Sequence, residues 1–71
     1  MFTKIEMNDI HRGMFLVVRL NNGQELDGML FSYSDMWMVL SKNGEVHDAF
    51  KKEDVKEIYL LDGGMDTDGD K

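Results

Sequence analysis

Two hairpin turns constrain the fold of this chain more than any other feature of its sequence. Asn21-Asn22-Gly23 and Asn43-Gly44 each stand between runs rich in Val, Leu and Met. Asn and Gly tolerate the positive φ that a tight hairpin turn requires. No segment shows a helical period long enough to compete with these strand signals. The sequence therefore predicts a mostly β body built from antiparallel strands.

Five strand-like runs can be placed around these turns. We predict strands over residues 14–20, 24–33, 36–42, 45–50 and 55–61, with a single tight turn over 51–54. Strongly bent strands of this number within about 50 residues are typical of a small barrel. The predicted fold class is therefore a small, five-stranded, strongly bent antiparallel barrel.

Side-chain alternation predicts which face of each strand is buried. In the first run, Arg19 faces away from its apolar neighbours, which are Leu16, Val18 and Leu20. In the second run the apolar parity shifts after Gly28, so we expect a bulge or a sharp bend there. The third run is almost continuously apolar, which favours burial on both faces, by the core and by a neighbour. In the fourth run, Val46 and Phe50 are expected to share one face.

The two ends of the chain differ from the body between them. Phe2 and Ile5 have a spacing compatible with a short N-terminal helix lying on the barrel, which Gly13 would end. Residues 62–71 contain four Asp and three Gly without any apolar period, so we expect a disordered acidic tail. The predicted organisation is one domain over residues 1–61, followed by the tail over 62–71.

Composition limits how so small a chain can be stabilised. Its 71 residues include no Cys and no Pro, and they carry 14 acidic against 8 basic side chains. Without Cys there can be no disulfide and no thiolate metal site, and a core of this size is marginal alone. We therefore expect association with further copies of the chain. The net charge of −6 weighs against nucleic-acid binding, but four Asp and one Lys in the tail supply −3 of it.

The sequence shows no pattern for catalysis, metal binding or membrane insertion. No Ser-His-Asp set, Gly-rich phosphate loop or closely spaced carboxylate pair occurs, so we expect no enzyme activity and no cofactor. His11 and His47 lack companions at metal-ligand spacing, so no metal site is expected. No apolar run approaches the about 18 residues of a transmembrane helix, and the N-terminus does not resemble a signal peptide. These features favour a cytoplasmic protein.

Three segments form a set whose order and spacing are informative together. They are residues 20–28 around the first turn, residues 35–43 from Asp35 into the third strand, and residues 50–52, which end in two lysines. In this arrangement the chain resembles the Sm-like family, nearest to its bacterial branch of Hfq-type RNA chaperones. The resemblance covers residues 2–61. It implies an Sm-like, SH3-like small barrel with a short N-terminal helix.

The resemblance also implies a ring. Members of the family assemble into cyclic homo-oligomers through the edges of the fourth and fifth strands of the barrel. This agrees with the small size of the chain, because pairing an open apolar edge protects it from aggregation and adds buried surface. On this basis we predict an oligomer interface at Val46, Ile58, Tyr59 and Leu60.

An RNA site follows from the same resemblance. It implies that Trp37, two positions after Asp35, stacks on a base, and that Lys51 and Lys52 reach the same nucleotide. Asp35 would hold the binding loop. The predicted RNA-binding residues are therefore Asp35, Trp37, Lys51 and Lys52, with Met36 as an alternative to Trp37 in the pocket.

Two positions depart from the family pattern and bear on base selectivity. Val39 stands where eukaryotic-type members carry an asparagine that reads the base edge. Lys52 stands where the bacterial branch usually carries a histidine, so a second point charge replaces an imidazole.

The leading prediction is a homo-oligomeric Sm-like ring that binds single-stranded, U- or A-rich RNA in RNA metabolism or regulation. A rival is an acidic small barrel that binds and modulates a transcription or RNA-processing protein, and a third reading is a purely structural oligomer. Purely structural roles are the alternatives for the site residues. Trp37 could be a core or subunit-interface residue, and Lys51 and Lys52 could belong to a solvated turn.

Overall fold

The alternating runs form one antiparallel sheet in the computed structural model, which describes residues 2–61. Its strands are β1 Phe2–Ile5, β2 Phe15–Leu20, β3 Glu25–Tyr33, β4 Trp37–Lys42, β5 Glu45–Lys51 and β6 Val55–Leu61. The strand order across the sheet is β1-β6-β2-β3-β4-β5. The mostly β prediction is confirmed, and β2 to β6 are the five strands expected from the sequence. The tail predicted for residues 62–71 lies outside the described residues.

Both hairpin turns have the backbone that their residues favour. Gly23 has a φ of +93°, and its N–H donates to the carbonyl of Leu20 at 3.0 Å. In the second turn, Asn43 and Gly44 have φ values of +54° and +83°. Asn21 ties the first turn to the chain ahead of β6, because its N–H donates to the carbonyl of Asp54 at 2.8 Å.

The N-terminal helix prediction is wrong, because residues 2–5 form strand β1. Lys4 and Ile5 are the cross-strand partners of Tyr59 and Ile58 on β6. Pairing gives this four-residue strand backbone hydrogen bonds along the edge of β6, whereas an isolated helix of this length would be marginal. A single 3-10 turn follows at Met7–Asp9. No helix in the part of the chain that the structure describes is long and apolar enough to span a membrane.

The sheet is curled but it is not closed into a barrel, which corrects the predicted closure. Within residues 2–61, β1 and β5 are each paired on one side only. The sixth strand explains the difference from the five-stranded prediction. The edge of β6 that was expected to be open is occupied by β1, so the open edges among the described strands are those of β1 and β5.

One hydrophobic core lies inside the curl of the sheet. It comprises the alternate residues of β2 with partners from every later strand and the segment before β2, namely Ile10, Leu16, Val18, Leu20, Leu30, Met38, Leu40, Phe50 and Ile58. Arg19 faces the other side of β2, as its alternation predicts. The core-lining face and the opposite, solvent-facing face of the sheet are called the inner and outer faces below.

Gly28 allows the close approach that curls the sheet. A Cβ atom built on it would lie 2.7 Å from the carbonyl oxygen of Ser41, and its φ is +155°. The bend expected in β3 is therefore supported by a residue without a side chain. The register shift itself lies further along the strand, between Leu30 and Ser32.

A second register shift overturns the face assignment predicted for β5. The shift falls at Ser41 on β4, opposite β5, so Val46 pairs with Ser41 while Asp48 pairs with Leu40. Val46 is 58% exposed and Phe50 is 7% exposed. The two residues therefore do not share a buried face, because the extra residue changes the alternation between them. On β4, the described chain covers the outer face only in part, since Trp37 is 43% exposed and Val39 is half-buried.

Candidate nucleic-acid interface

A short loop between β3 and β4 is held by one serine. Ser34 donates its N–H to the carbonyl of Trp37 at 2.9 Å, which closes the turn. Its hydroxyl oxygen accepts the N–H groups of Met36 and Trp37 at 3.4 and 3.2 Å. Among the described residues this loop-holding role belongs to Ser34, whereas the resemblance implied it for Asp35. The loop leaves Met36 61% exposed.

The ends of β4 and β5 bring the loop beside two lysines. Trp37 and Lys51 are cross-strand partners, and the N–H of Lys52 donates to the carbonyl of Met36 at 2.7 Å. The backbone of Lys51 is therefore on the strand beside the indole, and the backbone of Lys52 is bonded to the loop. The turn that carries Lys52 is anchored in its own right, because the side-chain amide of Asn21 donates to the carbonyl of Glu53 at 3.3 Å.

Each lysine places its ammonium group over an exposed aromatic ring. Lys51 Nζ lies 6.0 Å from the centroid of the Trp37 ring, and Lys52 Nζ lies 5.1 Å from that of Tyr33. Both distances fall within the range of cation–π attraction. The rings are 43% and 40% exposed. We call Tyr33, Trp37, Lys51 and Lys52 the aromatic–lysine cluster.

The two rings of the cluster lie on opposite sides of the sheet end. Tyr33 is the cross-strand partner of Met38, which is fully buried, so Tyr33 stands at the rim of the inner face. Trp37 precedes Met38 on β4 and therefore points to the outer face. An extended ligand passing over this end of the sheet would meet one ring on each side.

A shallow pocket lies between the loop and the lysines. It is lined by Asp35, Met36, Lys51, Lys52 and Glu53. Two carboxylates and two ammonium groups thus surround one thioether. Both hydrogen-bond acceptors and donors are within reach of a molecule placed there.

The pocket volume of about 220 Å³ lies below the range of about 300 to 1,000 Å³ that is usual for small-molecule sites. It is open at the surface and suits a single flat group, such as one base, better than a larger ligand. Met36, the alternative pocket residue of the sequence prediction, lines it directly, whereas Trp37 stands beside it on the outer face. Within residues 2–61, no group of three or more His, Asp and Glu side chains is placed to hold a metal ion.

A second set of charged side chains lies at the other end of β3 and is internally paired. Arg19 Nη2 donates to Glu25 Oε2 at 2.9 Å, and Arg19 Nη1 lies 3.6 Å from Glu57 Oε1. Lys4 Nζ lies 3.9 Å from the other oxygen of Glu57. The hydrogen bond and charge of Glu25, with the charge of Glu57, raise the pKa of Arg19 above its ordinary value. We call Lys4, Arg19, Glu25 and Glu57 the ion-pair patch.

The cluster lysines differ from the cations of this patch. Neither Lys51 nor Lys52 makes an ion pair with another of the described residues. The carboxylates of Asp35 and Glu53 line the same pocket without forming an ion pair with either lysine. An incoming phosphate would therefore not have to displace a protein carboxylate from either lysine.

The structure brings the four predicted RNA-binding residues to one end of the sheet. Asp35, Lys51 and Lys52 line the pocket, and Trp37 is the cross-strand partner of Lys51. Tyr33 belongs to the same arrangement and was missed as a site residue. Its place at the end of the strand that leads into the loop is the signal that could have identified it.

The predicted interface residues are not brought together on one open edge. Val46 lies on β5, which has an open edge among the described strands. Ile58 is 2% exposed and belongs to the core of its own chain. Tyr59 and Leu60 are half-buried and are the cross-strand partners of Lys4 and Thr3 on β1.

Comparison of the chain with protein-family models, with curated proteins and with solved structures gives no match. The Sm-like resemblance therefore continues to rest on the three sequence segments that carry it.

Proposed function

We propose that this protein binds single-stranded RNA through the aromatic–lysine cluster. The observation that carries the proposal is the pairing of each exposed ring, Trp37 and Tyr33, with an ammonium group that has no carboxylate partner among the described residues. Single-stranded nucleic acid is bound by this combination, in which rings stack on bases and cations neutralise phosphates.

The energies of the competing contacts favour an exchange of partners at each ring. A cation–π contact at an exposed site contributes about 0.5 to 1 kcal/mol. Stacking of a base on an aromatic ring contributes about 1 to 3 kcal/mol. A base can therefore take the face of Trp37, while Lys51 turns from the ring to the adjoining phosphate and keeps a partner for its charge.

The bound RNA is expected to be U- or A-rich, in a role in RNA metabolism or regulation in the cytoplasm. The side chain of Val39 offers no hydrogen bond to a base edge, so selectivity has to come from the pocket around Met36. There Asp35 and Glu53 can accept from an exocyclic amino group, and the lysines can donate to a carbonyl.

Ring assembly and Sm-like membership belong to the same proposal. The resemblance is the ground for treating β2 to β6 as an Sm-like fold, to which β1 adds a strand. Because β1 covers the edge of β6, a cyclic assembly would pair the open edge of β5 with β1 of the next protomer. Repeating the cluster around a ring would raise avidity, since each later nucleotide binds at high effective concentration. Sedimentation should then give a multiple of 8.2 kDa, and a monomer at micromolar concentration contradicts the ring.

The RNA proposal can be tested with the fluorescence of the only tryptophan in the chain. Oligouridine and oligoadenine at low salt should quench Trp37, and replacing Lys51 and Lys52 by Ala should weaken binding about ten-fold or more. Lys56→Ala is the control for each single replacement, Lys51→Ala and Lys52→Ala, because it removes one positive charge from an exposed residue of β6 outside the cluster. Circular dichroism checks that each variant is folded.

The opposite result would favour the second candidate function. If neither oligomer quenches Trp37 and the double lysine variant binds RNA as the wild type does, the RNA proposal fails. The net charge of −6 then supports an acidic domain that binds and modulates a transcription or RNA-processing protein.

A further inference from the structure

The outer face of the sheet carries an apolar groove that the proposed site does not use. Phe15, Met29 and Phe31 are 38%, 46% and 54% exposed on this face. An antiparallel sheet that packs one face on a core usually turns polar side chains outward on the other. These three side chains, with Ser41, Lys42 and Asn43, line a groove of about 530 Å³. We call it the outer groove.

The outer groove is on the same face of the sheet as Trp37. Leu30 and Leu40 are cross-strand partners in the core, and Phe31, the extra residue at the register shift, follows Leu30 and points outward. The next pair is Ser32 with Val39, and Trp37 is two residues before Val39. Phe31 lies between these two pairs, so it is two to three strand residues from Trp37, or about 7 to 10 Å along the sheet.

The chemistry of the groove suits a base. Phe15 and Phe31 supply aromatic surface, and the volume lies within the usual range of about 300 to 1,000 Å³ for small-molecule sites. The amide of Asn43 stands at the hairpin end and can both donate and accept hydrogen bonds. Lys42 Nζ is already 2.9 Å from Asp27 Oδ1, so the groove offers stacking much more than phosphate neutralisation.

We infer that the outer groove is a second nucleotide subsite of the same single-stranded RNA, in which a base stacks on Phe31. The inference rests on the proposed function. The RNA strand would run along β4 on the outer face, with one base at Trp37 and a following base at Phe31. Lys51 would neutralise phosphate at the first subsite, and the second would add affinity without adding charge. Continuity with the aromatic–lysine cluster favours RNA over a separate protein ligand.

Phe31→Leu tests the subsite, because it keeps an apolar side chain and removes the aromatic face. Binding of octauridine, measured by the quenching of Trp37 fluorescence, should weaken about ten-fold. The salt dependence of binding should stay that of the wild type, since no phosphate contact is lost. Phe31→Tyr should restore the affinity. Phe2→Leu is the matched control, because it makes the same substitution at an exposed phenylalanine of β1 outside the groove, and it should leave binding within two-fold of the wild type.

The outcomes separate this inference from the proposed function. If octauridine quenches Trp37 and Phe31→Leu binds it as tightly as the wild type, the subsite is absent and the proposed function stands. If Phe31→Leu does not fold, Phe31→Tyr and Phe15→Leu replace it. Phe31→Tyr should then retain the affinity and Phe15→Leu should weaken it. Equal affinity of the two variants would overturn the subsite. If the wild type shows no quenching, both proposals fail and the groove is open to a protein partner.

Discussion

The ion-pair patch and the aromatic–lysine cluster lie at opposite ends of β3, and their cations have different partners. At the start of the strand, Glu25 accepts a hydrogen bond from Arg19 at 2.9 Å. At its end, Tyr33 lies under Lys52 at 5.1 Å. The comparison shows that cations of one acidic domain differ in their local partners. A phosphate competes poorly with a carboxylate and well with a ring, so the proposed site depends on these partners more than on net charge.

The largest expected effect concerns the strand that joins the two regions. Gly28→Ala should lower the free energy of unfolding by about 3 kcal/mol, because the added Cβ would meet the carbonyl oxygen of Ser41 at 2.7 Å on a backbone with φ of +155°. For a domain of this size that is a large share of the total stability. Chemical denaturation followed by circular dichroism measures the change.

Gly23→Ala is the matched control for this substitution. Gly23 also has a positive φ, of +93°, but no atom lies within 4 Å of the position of its Cβ. Its replacement should therefore cost about 1 kcal/mol through backbone strain alone. Equal costs at the two positions would mean that the close approach to Ser41 does not contribute to stability.

The next largest effect concerns the indole of the cluster. Trp37→Ala should weaken binding of single-stranded RNA about ten-fold to a hundred-fold, because stacking on the ring is lost, and Trp37→Phe should retain most of the affinity. Fluorescence anisotropy of a labelled oligouridine measures this without relying on the indole. Equal weakening by Trp37→Phe and Trp37→Ala would contradict stacking and leave packing of the β4 end as the role of the side chain.

The sequence predicted β2 to β6 well because their signals are local and strong. The turn at Asn43 has the positive φ that its residue type favours, and the side chains of β2 alternate over six residues. β1 was missed for the opposite reason. A four-residue strand places two side chains on each face, which is too short a pattern to separate a strand from a helical turn.

The candidate site was predicted as a set of residues, but not in its detail. The resemblance named Trp37 and Lys51, and the register of β4 with β5 places them side by side. Tyr33 was not named, because its meeting with Lys52 depends on where β3 ends relative to the turn before β6. The face of the sheet on which Val46 lies depends on a register shift. One extra residue creates this shift, and side-chain alternation alone does not locate it.

A smaller effect separates the cations of the two regions directly. The affinity for single-stranded nucleic acid falls with salt at a slope of about 0.7 per neutralised phosphate. Lys51→Ala should reduce that slope by about 0.7, whereas Arg19→Ala should leave it unchanged because Arg19 is already paired with Glu25 and Glu57. Titrations of octauridine at several salt concentrations measure the slope. An equal reduction in both variants would show that the ion-pair patch also contacts the RNA.

The smallest expected effect is on thermal stability, and it tests whether the ion-pair patch is a structural feature. Arg19→Ala should lower Tm by a few degrees at most at about 0.05 M salt, because the lost pairs are exposed, and the difference should shrink at about 0.5 M salt as screening increases. Lys51→Ala should lower Tm by less, since no ion pair with a described residue is lost. Thermal melts at both salt concentrations measure the two differences. A larger decrease for Lys51→Ala would mean that its contact with Trp37 holds the sheet end together, and Lys51 would then have a structural role in addition to any part in binding.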